Sequence, residues 1–356
     1  MTNELGKIAI LGSGETSPNL VGVHRELLEG EASSNCFMID SPFGFQENAD
    51  QLVEKIQDFY KTSLNIEINL ASFRKIDELN SKSFFKTIEF LKSASFIFAG
   101  PGSPSYASKL WSGNQIQSTL LNHLSEGKNA LFASAAATTL GENTLPVYEI
   151  YKVGKDPFWE KGLNILNSYG LSCSVVPHFN NKEGGNHDTS YSYVGKNRIE
   201  KLLDQSYSNI LGIDEHTAVI ISGKDGLFEV KGIGKLTLIN KKGIHQFDNG
   251  SVEDLSILQD LLKLDKSNNQ NQKEMLENET QDTAYLKQIA KLEIEVENNN
   301  KNNERFSKIV GELISLREKL REEKNYELSD TIRNILESCN LQIEDSGNDI
   351  KWSILD

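Results

Sequence analysis

One stretch of the sequence places a serine where a nucleophile is expected. Residues 130–137, ALFASAAA, indicate a short buried strand that ends in Ser134 and continues into small residues. A serine on a sharp strand-to-helix turn exposes its hydroxyl, and small neighbours let the backbone approach closely. The N–H of Ala135 then faces a developing oxyanion. The pattern favours acyl transfer at Ser134, and a plain junction of small residues is the alternative.

A serine nucleophile requires a base, and one histidine follows a strand directly. His178 ends the run VVPH and begins a polar loop. We predict that His178 is the base, with His187 and His216 as rivals. His178, His187 and Asp188 are also metal-ligand types, but they lack the HxxxH or HxH spacing. No metal site and no organic cofactor are therefore expected.

An acid must orient the histidine. Glu149 lies inside the otherwise apolar run PVYEIY, where an unpaired carboxylate is costly. We predict Glu149 as the third member of the triad, with Asp214 and Glu215 as the runner-up. A second oxyanion donor must come from a neighbouring loop. The GPGS loop at 100–103, which follows the strand-like run at 95–99, is placed to supply it.

The elements that position these residues alternate between two patterns. Strand-like runs cover 7–11, 35–40, 65–70, 95–99, 130–133, 175–176 and 218–221, and helical periodicity covers 47–61, 83–92 and 116–126. This alternation predicts an α/β fold with a mainly parallel sheet flanked by helices. Ligands bind such sheets at the carboxyl ends of the strands, where the Gly-rich loops and Ser134 fall.

Composition changes sharply near residue 265. From Asp265 to Arg305, 13 of 41 residues are Asn or Gln, and most others are charged. Such a stretch buries little apolar surface. We predict a first domain at 1–264, a linker at 265–304 and a small module at 305–356. Within the linker, four apolar residues at helical spacing predict a short helix: Leu286, Ile289, Leu292 and Val296.

Charge and composition exclude several classes of protein. The 356 residues carry a formal net charge of -14, which argues against a general nucleic-acid or membrane-surface binder. The three scattered cysteines form no CxxC pair, which argues against a disulfide framework. No apolar run approaches the roughly 18 residues of a membrane span, so a transmembrane helix is not expected. No basic segment precedes a long apolar stretch at the N-terminus, which argues against an ordinary secretory signal. We expect a cytoplasmic protein that does not bind membranes.

Residues 5–250 resemble the dipeptidase E and cyanophycinase family of serine peptidases. The resemblance is carried by four short motifs: the GSGE loop at 12–15, the GPGS loop at 100–103, the elbow at Ser134, and Pro177-His178. That family has the class I glutamine-amidotransferase-like fold and a triad of serine, acid and histidine. The resemblance implies Ser134, Glu149 and His178 in those roles, with oxyanion N–H groups from Gly102 and Ala135.

The resemblance also bears on the substrate and on two substitutions. Relatives favour short peptides of aspartyl or isoaspartyl character, so a small peptide or amino-acid-derived substrate is expected. Six polar residues are expected near this substrate: Glu15, Ser103, Asn180, Asp188, Asp214 and Glu215.

The family's elbow usually reads Gly-x-Ser-Ala-Gly-Ala, whereas this chain has Phe132 and Ala136 at the two glycine positions. The bulk of Phe132 is expected to alter the strand–helix contact or to fill part of the pocket.

The C-terminal module shows helical periodicity in two segments. The apolar residues are Ile309, Leu313, Leu316 and Leu320, then Leu328, Ile332 and Ile335. They predict a helical hairpin, and the DSGN turn at 345–348 predicts a β-hairpin after it. About 45 residues resemble the C-terminus of cysteinyl-tRNA synthetases, through Arg317, Arg321, Asn325-Tyr326, the SDTIRNIL run at 329–336, and Trp352. They include none of a synthetase's catalytic core.

We therefore predict a serine hydrolase that cleaves an amide bond in a short peptide or amino-acid conjugate. One alternative is a non-catalytic binding descendant of the fold, which predicts a closed pocket at Ser134. Another is an accessory protein that binds tRNA or a synthetase through residues 305–356. The same module could instead form a homodimer or dock on a protein, and its seven basic and seven acidic residues between 305 and 340 favour this over RNA.

Overall fold

The computed structural model describes residues 5–29, 35–263, 281–298, 304–339, 341–346 and 349–354. The strands are β1 Lys7–Leu11, β2 Cys36–Ile39, β3 Asn69–Ala71, β4 Phe96–Ala99, β5 Asn129–Ala133, β6 Asn143–Thr144, β7 Glu160–Lys161, β8 Ser174–Val176, β9 Ile210–Ile213, β10 Thr217–Ser222, β11 Leu227–Gly232, β12 Lys235–Asn240, β13 Gly243–Asp248, β14 Val252–Asp254, β15 Leu341–Ser346 and β16 Asp349–Ile354. The α-helices are α1 Val21–Leu28, α2 Ala49–Phe59, α3 Lys82–Ser93, α4 Pro104–Trp111, α5 Gln115–Ser125, α6 Ala135–Thr138, α7 Val147–Tyr151, α8 Lys196–Gln205, α9 Leu255–Leu262, α10 Gln281–Asn298, α11 Glu304–Glu322 and α12 Tyr326–Ser338. The described residues form two compact units, 5–77 with 90–263, and 78–89 with the residues after 280.

The first unit is built on an eight-stranded sheet in the order β14-β11-β10-β1-β5-β4-β2-β3. The five strands from β1 to β3 in that order are parallel to one another. Strand β10 pairs antiparallel with β1, and β11 and β14 continue the antiparallel pairing at that edge. The central strands β1, β4 and β5 are almost completely buried, as expected for a parallel sheet covered on both faces. The predicted α/β fold with a mainly parallel sheet is confirmed.

A second sheet, in the order β13-β12-β9-β8, carries the loops opposite Ser134. Strands β8 and β9 are parallel, with Val176 paired to Gly212. Because parallel strands end at the same edge, the loops after β8 and after β9 emerge side by side. These loops begin at Pro177 and Asp214.

The structure shifts one predicted strand for a local reason. Residues 65–70 read as a strand, but helix α2 continues into a π-helical turn at Tyr60–Leu64. Asn65 then ends that turn in the left-handed conformation, with φ 56°. The strand consequently begins only at Asn69 and is three residues long.

The second unit contains α10, α11, α12 and the β15–β16 hairpin. The helical hairpin and β-hairpin are confirmed, while the turn residues 347–348 lie outside the described residues. Helix α10 lies within the predicted linker, yet Ile289 is fully buried in a core shared with α11 and α12. The apolar spacing in α10 therefore marks a packed helix. Residues 265–280 and 299–303 of the predicted linker lie outside the described residues.

Two further findings concern the described ranges only. None of their helices is long and apolar enough to cross a membrane. They contain no cluster of three or more His, Cys, Asp or Glu side chains arranged to hold a metal ion. The resemblance of the second unit to cysteinyl-tRNA synthetases, and an RNA or protein partner for it, stay predictions.

Candidate active site

Ser134 lies at the turn between β5 and α6 in a strained conformation. Its φ is 51° and its ψ is −115°, outside the regions that L-residues ordinarily occupy. Its N–H donates to the Leu11 carbonyl at 3.0 Å, which extends the β1–β5 pairing one residue past the strand. Strain of this kind is concentrated at functional sites. The turn has the geometry of a nucleophile elbow.

The small residues after Ser134 are required by the packing. Ala135, Ala136 and Ala137 are all buried, and the Ala136 N–H donates to the Gly100 carbonyl at 3.3 Å. A larger side chain here would separate α6 from the loop that follows β4. Phe132 is fully buried in the β5 strand and does not line the cavity beside Ser134 described below. Its bulk is taken up by the core, so it does not fill that cavity.

We expect the strained turn to appear as a stability difference between two inactive variants. Ser134→Gly and Ser134→Ala both lose the hydroxyl, but only glycine adopts φ 51° without a Cβ clash. Glycine relieves the backbone strain, but its greater conformational entropy in the unfolded state opposes this gain. The balance should make Ser134→Gly more stable than Ser134→Ala by about 1 kcal/mol. Urea unfolding followed by tryptophan fluorescence measures the difference. An alanine variant as stable as the glycine variant would contradict the strain argument.

His178 contacts Ser134 directly. The His178 Nε2 lies 2.9 Å from the Ser134 Oγ. The histidine is held by its backbone, because its N–H donates to the Gly12 carbonyl at 3.3 Å and its carbonyl accepts from the N–H groups of Asn181 and Ser192. The structure therefore brings the predicted nucleophile and the predicted base within hydrogen-bonding distance.

The carboxylate beside His178 belongs to Glu215. Its Oε1 lies 2.8 Å from the His178 Nδ1 and also accepts from the Asn181 Nδ2 at 2.7 Å. An ionised carboxylate only accepts hydrogen bonds, so Nδ1 carries the proton and Nε2 is left to accept from Ser134. The hydrogen bond from His178 lowers the pKa of the Glu215 carboxyl, burial opposes this, and the bond from Asn181 lowers it further.

This placement corrects the sequence-based choice of Glu149. The Glu149 Oε1 accepts from the Ser105 Oγ at 2.7 Å, and no hydrogen bond between Glu149 and His178 occurs in the described structure. Both ring nitrogens of His178 are already engaged by Ser134 and Glu215. The runner-up choice from the sequence, the pair at 214–215, contains the residue that contacts the histidine.

Gly102 and Ala135 both line the space in front of Ser134. Gly102 has φ 144°, and a Cβ on it would lie 2.0 Å from the Pro42 carbonyl oxygen. The next residue, Ser103, donates its N–H to that same oxygen at 2.8 Å. The loop is thus pressed against Pro42, and only glycine fits. Among the described residues, neither the Gly102 nor the Ala135 N–H has a protein acceptor, so both are available as oxyanion donors.

A cavity of about 420 Å³ opens at Ser134. Besides the residues already named, its walls include three tyrosines, one cation and one acid: Tyr148, Tyr151, Tyr193, Lys152 and Glu183. The Tyr193 ring lies 5.5 Å from the His178 ring, and its hydroxyl donates to the Glu183 Oε2 at 3.0 Å. The volume suits a small ligand with an apolar body and a few polar groups.

The other predicted pocket residues lie around this cavity and not on its walls. Asn180 accepts from the Glu215 N–H at 2.9 Å, and Asp214 accepts from the Lys235 N–H at 3.0 Å, so both hold loops. Asp188 accepts from the Ser190 and Lys196 N–H groups before α8. Glu15 is close enough to interact with His178 and His216, and burial raises the pKa of its carboxyl. Ser103 caps α4 by accepting from the Tyr106 N–H and lines a neighbouring cavity.

The two rival bases have other partners than Ser134. The His216 Nδ1 bonds to the Ser17 Oγ at 3.0 Å, and the His187 ring stacks on Tyr151. Neither histidine contacts Ser134 in the described structure.

The cavity tyrosines had no strong sequence signal, because aromatic residues in a domain of this size usually belong to the core. Their clustering in 148–151 and 191–193, beside the predicted acid and base, was the signal available.

The fold and site were compared with known proteins. No protein-family model and no curated protein matches the chain. A peptidase from an acI-B1 actinobacterium, known from its crystal structure, is similar in fold. The TM-score is 0.57 at 19% identity, covering 71% of this chain and 98% of that one. A candidate peptidase E from Listeria monocytogenes EGD-e has a TM-score of 0.43 at 16% identity. That match covers 65% of this chain and 100% of the Listeria chain. At these identities the first likeness shows that the chain shares the fold of a known peptidase.

Proposed function

We propose that the protein is a serine hydrolase that cleaves an amide bond in a short peptide or amino-acid conjugate. The observation that carries the proposal is the continuous hydrogen-bonded chain from the Ser134 Oγ to the His178 Nε2 and from the His178 Nδ1 to the Glu215 Oε1. Nucleophile, base and orienting acid in this geometry define a catalytic triad, on whatever fold it occurs. The fold shared with a known peptidase is consistent with it.

The chemistry follows from the positions of these groups. The Ser134 Oγ attacks the substrate carbonyl carbon while His178 takes the hydroxyl proton at Nε2. The N–H groups of Gly102 and Ala135 stabilise the oxyanion, and Glu215 stabilises the imidazolium. His178 then gives the proton to the leaving amine, and an acyl-serine remains. Water, deprotonated by His178, attacks the ester and releases the acid and free Ser134.

The shape of the site supports turnover over a purely binding role. A non-catalytic descendant of the fold predicts a closed pocket at Ser134, whereas the cavity here is open and of ligand size. Phe132 leaves this space free because it lies in the core. The volume admits a dipeptide or a conjugate of similar size more readily than a folded chain.

The test is labelling of the full-length protein with an uncharged alkyl fluorophosphonate. The Ser134 Oγ forms a bond to phosphorus, fluoride leaves, and His178 takes the proton. We expect the wild type to be labelled once, and Ser134→Ala and His178→Ala to remain unlabelled. His187→Ala, which removes a rival base outside the hydrogen-bonded chain, should keep labelling. Absence of labelling in folded wild type, or loss with His187→Ala alone, would overturn the proposal.

A further inference from the structure

Three consecutive residues in the loop before α8 have positive φ angles. The values are 56° for Tyr191, 57° for Ser192 and 65° for Tyr193. Non-glycine residues adopt this left-handed region at a cost in free energy, because the Cβ approaches the following carbonyl oxygen. No other two consecutive non-glycine residues of the described ranges have positive φ. Strain of this kind persists only where the surrounding structure fixes it, and it is concentrated at functional sites.

Hydrogen bonds fix this turn to the segment that carries His178. The Tyr191 N–H donates to the Phe179 carbonyl at 2.9 Å. Ser192 donates twice, from its N–H to the His178 carbonyl at 3.2 Å and from its hydroxyl to the Pro177 carbonyl at 2.6 Å. The turn therefore holds its side chains at fixed positions relative to the histidine.

The two tyrosines of the turn contact different partners. The Tyr191 ring packs edge-to-face on Phe179, with centroids 4.4 Å apart, and it does not line the cavity of the candidate active site. The Tyr193 ring lines that cavity, 5.5 Å from the His178 ring and 5.7 Å from the Tyr151 ring. The strained turn thus places one aromatic ring on the wall of the site, beside the proposed base.

The charged groups of the cavity wall both lie against tyrosines. The Tyr193 hydroxyl donates to the Glu183 Oε2 at 3.0 Å, and burial together with this bond raises the pKa of the hydroxyl, so it stays a neutral donor. The Lys152 Nζ lies 4.6 Å from the centroid of the Tyr151 ring. Apart from His178, these are the charged side chains among the described residues that line the cavity. One acid and one base leave the wall without net charge, which favours an uncharged side chain of a substrate over an acidic or a basic one.

Apolar and aromatic side chains form much of the remaining wall. It includes a third tyrosine, three prolines and one valine: Tyr148, Pro101, Pro104, Pro177 and Val147. Aromatic rings pair favourably in edge-to-face or offset arrangements with centroids about 4.5–7 Å apart, and such pairs contribute more than the area they bury. A phenyl or phenol ring gains this contribution on Tyr193 and Tyr151, whereas an aliphatic side chain of the same size gains only the burial.

We propose that Tyr193 determines the specificity of this site by binding an aromatic side chain of the substrate beside the scissile amide. The inference rests on the proposed hydrolase function, because that function places the amide at Ser134. It narrows the substrate class to short amides that carry an uncharged aromatic side chain next to the cleaved bond. This preference differs from the aspartyl character that the resemblance implied.

Equilibrium binding to the full-length Ser134→Ala variant tests the aromatic preference without requiring turnover. The probes are the α-carboxamides of Nα-acetylated phenylalanine, cyclohexylalanine and aspartic acid, which differ only in the side chain. Ligand-observed NMR titration measures their dissociation constants. We expect the phenylalanine amide to bind about 3- to 10-fold more tightly than the cyclohexylalanine amide, and about 10-fold or more tightly than the aspartic acid amide. Because cyclohexylalanine is at least as apolar as phenylalanine, the first ratio reports the aromatic ring and not the buried area.

Substitutions in the strained turn locate the preference. Tyr193→Leu, added to Ser134→Ala, removes the ring and should reduce the ratio of phenylalanine to cyclohexylalanine binding to near one. Tyr193→Phe keeps the ring and should preserve the ratio. Tyr191→Leu is the matched control, because it changes the same residue type in the same turn but removes a ring that packs on Phe179. The control should preserve the ratio.

The outcomes separate the aromatic site from the hydrolase. Equal binding of the phenylalanine and cyclohexylalanine amides, or tighter binding of the aspartic acid amide, would overturn the inference, and this comparison needs no substitution at Tyr193. A ratio lost to the same extent in Tyr191→Leu would reject the role of Tyr193. A preference for phenylalanine without fluorophosphonate labelling of wild-type Ser134 would retain the aromatic site and reject the hydrolase. Labelling without the preference would retain the hydrolase and reject the aromatic site.

Discussion

Glu215→Gln is expected to slow fluorophosphonate labelling of Ser134 by about 10³-fold or more. The amide carries no charge, so it cannot stabilise the imidazolium that forms when His178 takes the proton. Where its NH₂ group faces the Nδ1, it also reverses the histidine tautomer and turns Nε2 into a donor. The measurement is the second-order rate constant of labelling in Glu215→Gln and in the wild type.

Two comparison variants make this result specific. Asp214→Asn changes the adjacent acid, whose oxygen accepts from the Lys235 N–H and not from His178, so we expect a labelling rate near the wild-type value. Glu149→Gln should lose far less rate than Glu215→Gln with an uncharged probe. The opposite ranking, with Glu149→Gln the slower of the two, would restore the sequence-based triad and reject the role of Glu215.

Gly102→Ala is expected to reduce labelling by about 10²- to 10³-fold. The new Cβ would lie 2.0 Å from the Pro42 oxygen, which cannot move freely because it also accepts from the Ser103 N–H. The loop must shift, and the Gly102 N–H moves away from the oxyanion position. Near-ultraviolet circular dichroism and urea unfolding establish that the variant is folded when its labelling rate is measured.

Gly113→Ala is the matched control for Gly102→Ala. Gly113 also has a positive φ, of 73°, but a Cβ there meets no atom within 4 Å. The control therefore carries the backbone strain of alanine without the clash, and it should cost about 1 kcal/mol of stability while labelling at the wild-type rate. Labelling of Gly102→Ala at the wild-type rate would argue against an oxyanion donor at this position.

The parts of the molecule that depend on local sequence were predictable. The buried strands, the elbow at Ser134 and the histidine at the end of β8 follow from short runs whose pattern is independent of distant residues. Glu149 shows where local reasoning ends. Its burial in an apolar run correctly indicated that it needs a partner, but the partner, Ser105, lies on α4 and is known only from the fold.

Glu215 is specified by strand pairing, which a single sequence does not reveal. The parallel register pairs Ser174 with Ile210 and Val176 with Gly212, an offset of 36 residues. Extending that offset past the strand ends brings His178 opposite Asp214, directly beside Glu215. Both strands end in polar runs, HFNN and DEH, and the pairing of these two runs is the information that the sequence lacked.

The turn from β4 into α4 has a consequence for how chains of this fold can vary in length. Gly102 and Pro104 line the cavity at Ser134, while Ser103 and Ser105 line the neighbouring cavity, so successive residues face two different cavities. Inserting or deleting a single residue between Pro101 and Tyr106 would exchange the two sets and move the N–H proposed as an oxyanion donor to the neighbouring cavity. We expect relatives with the same two cavities to keep this loop at constant length, while loops elsewhere tolerate insertions.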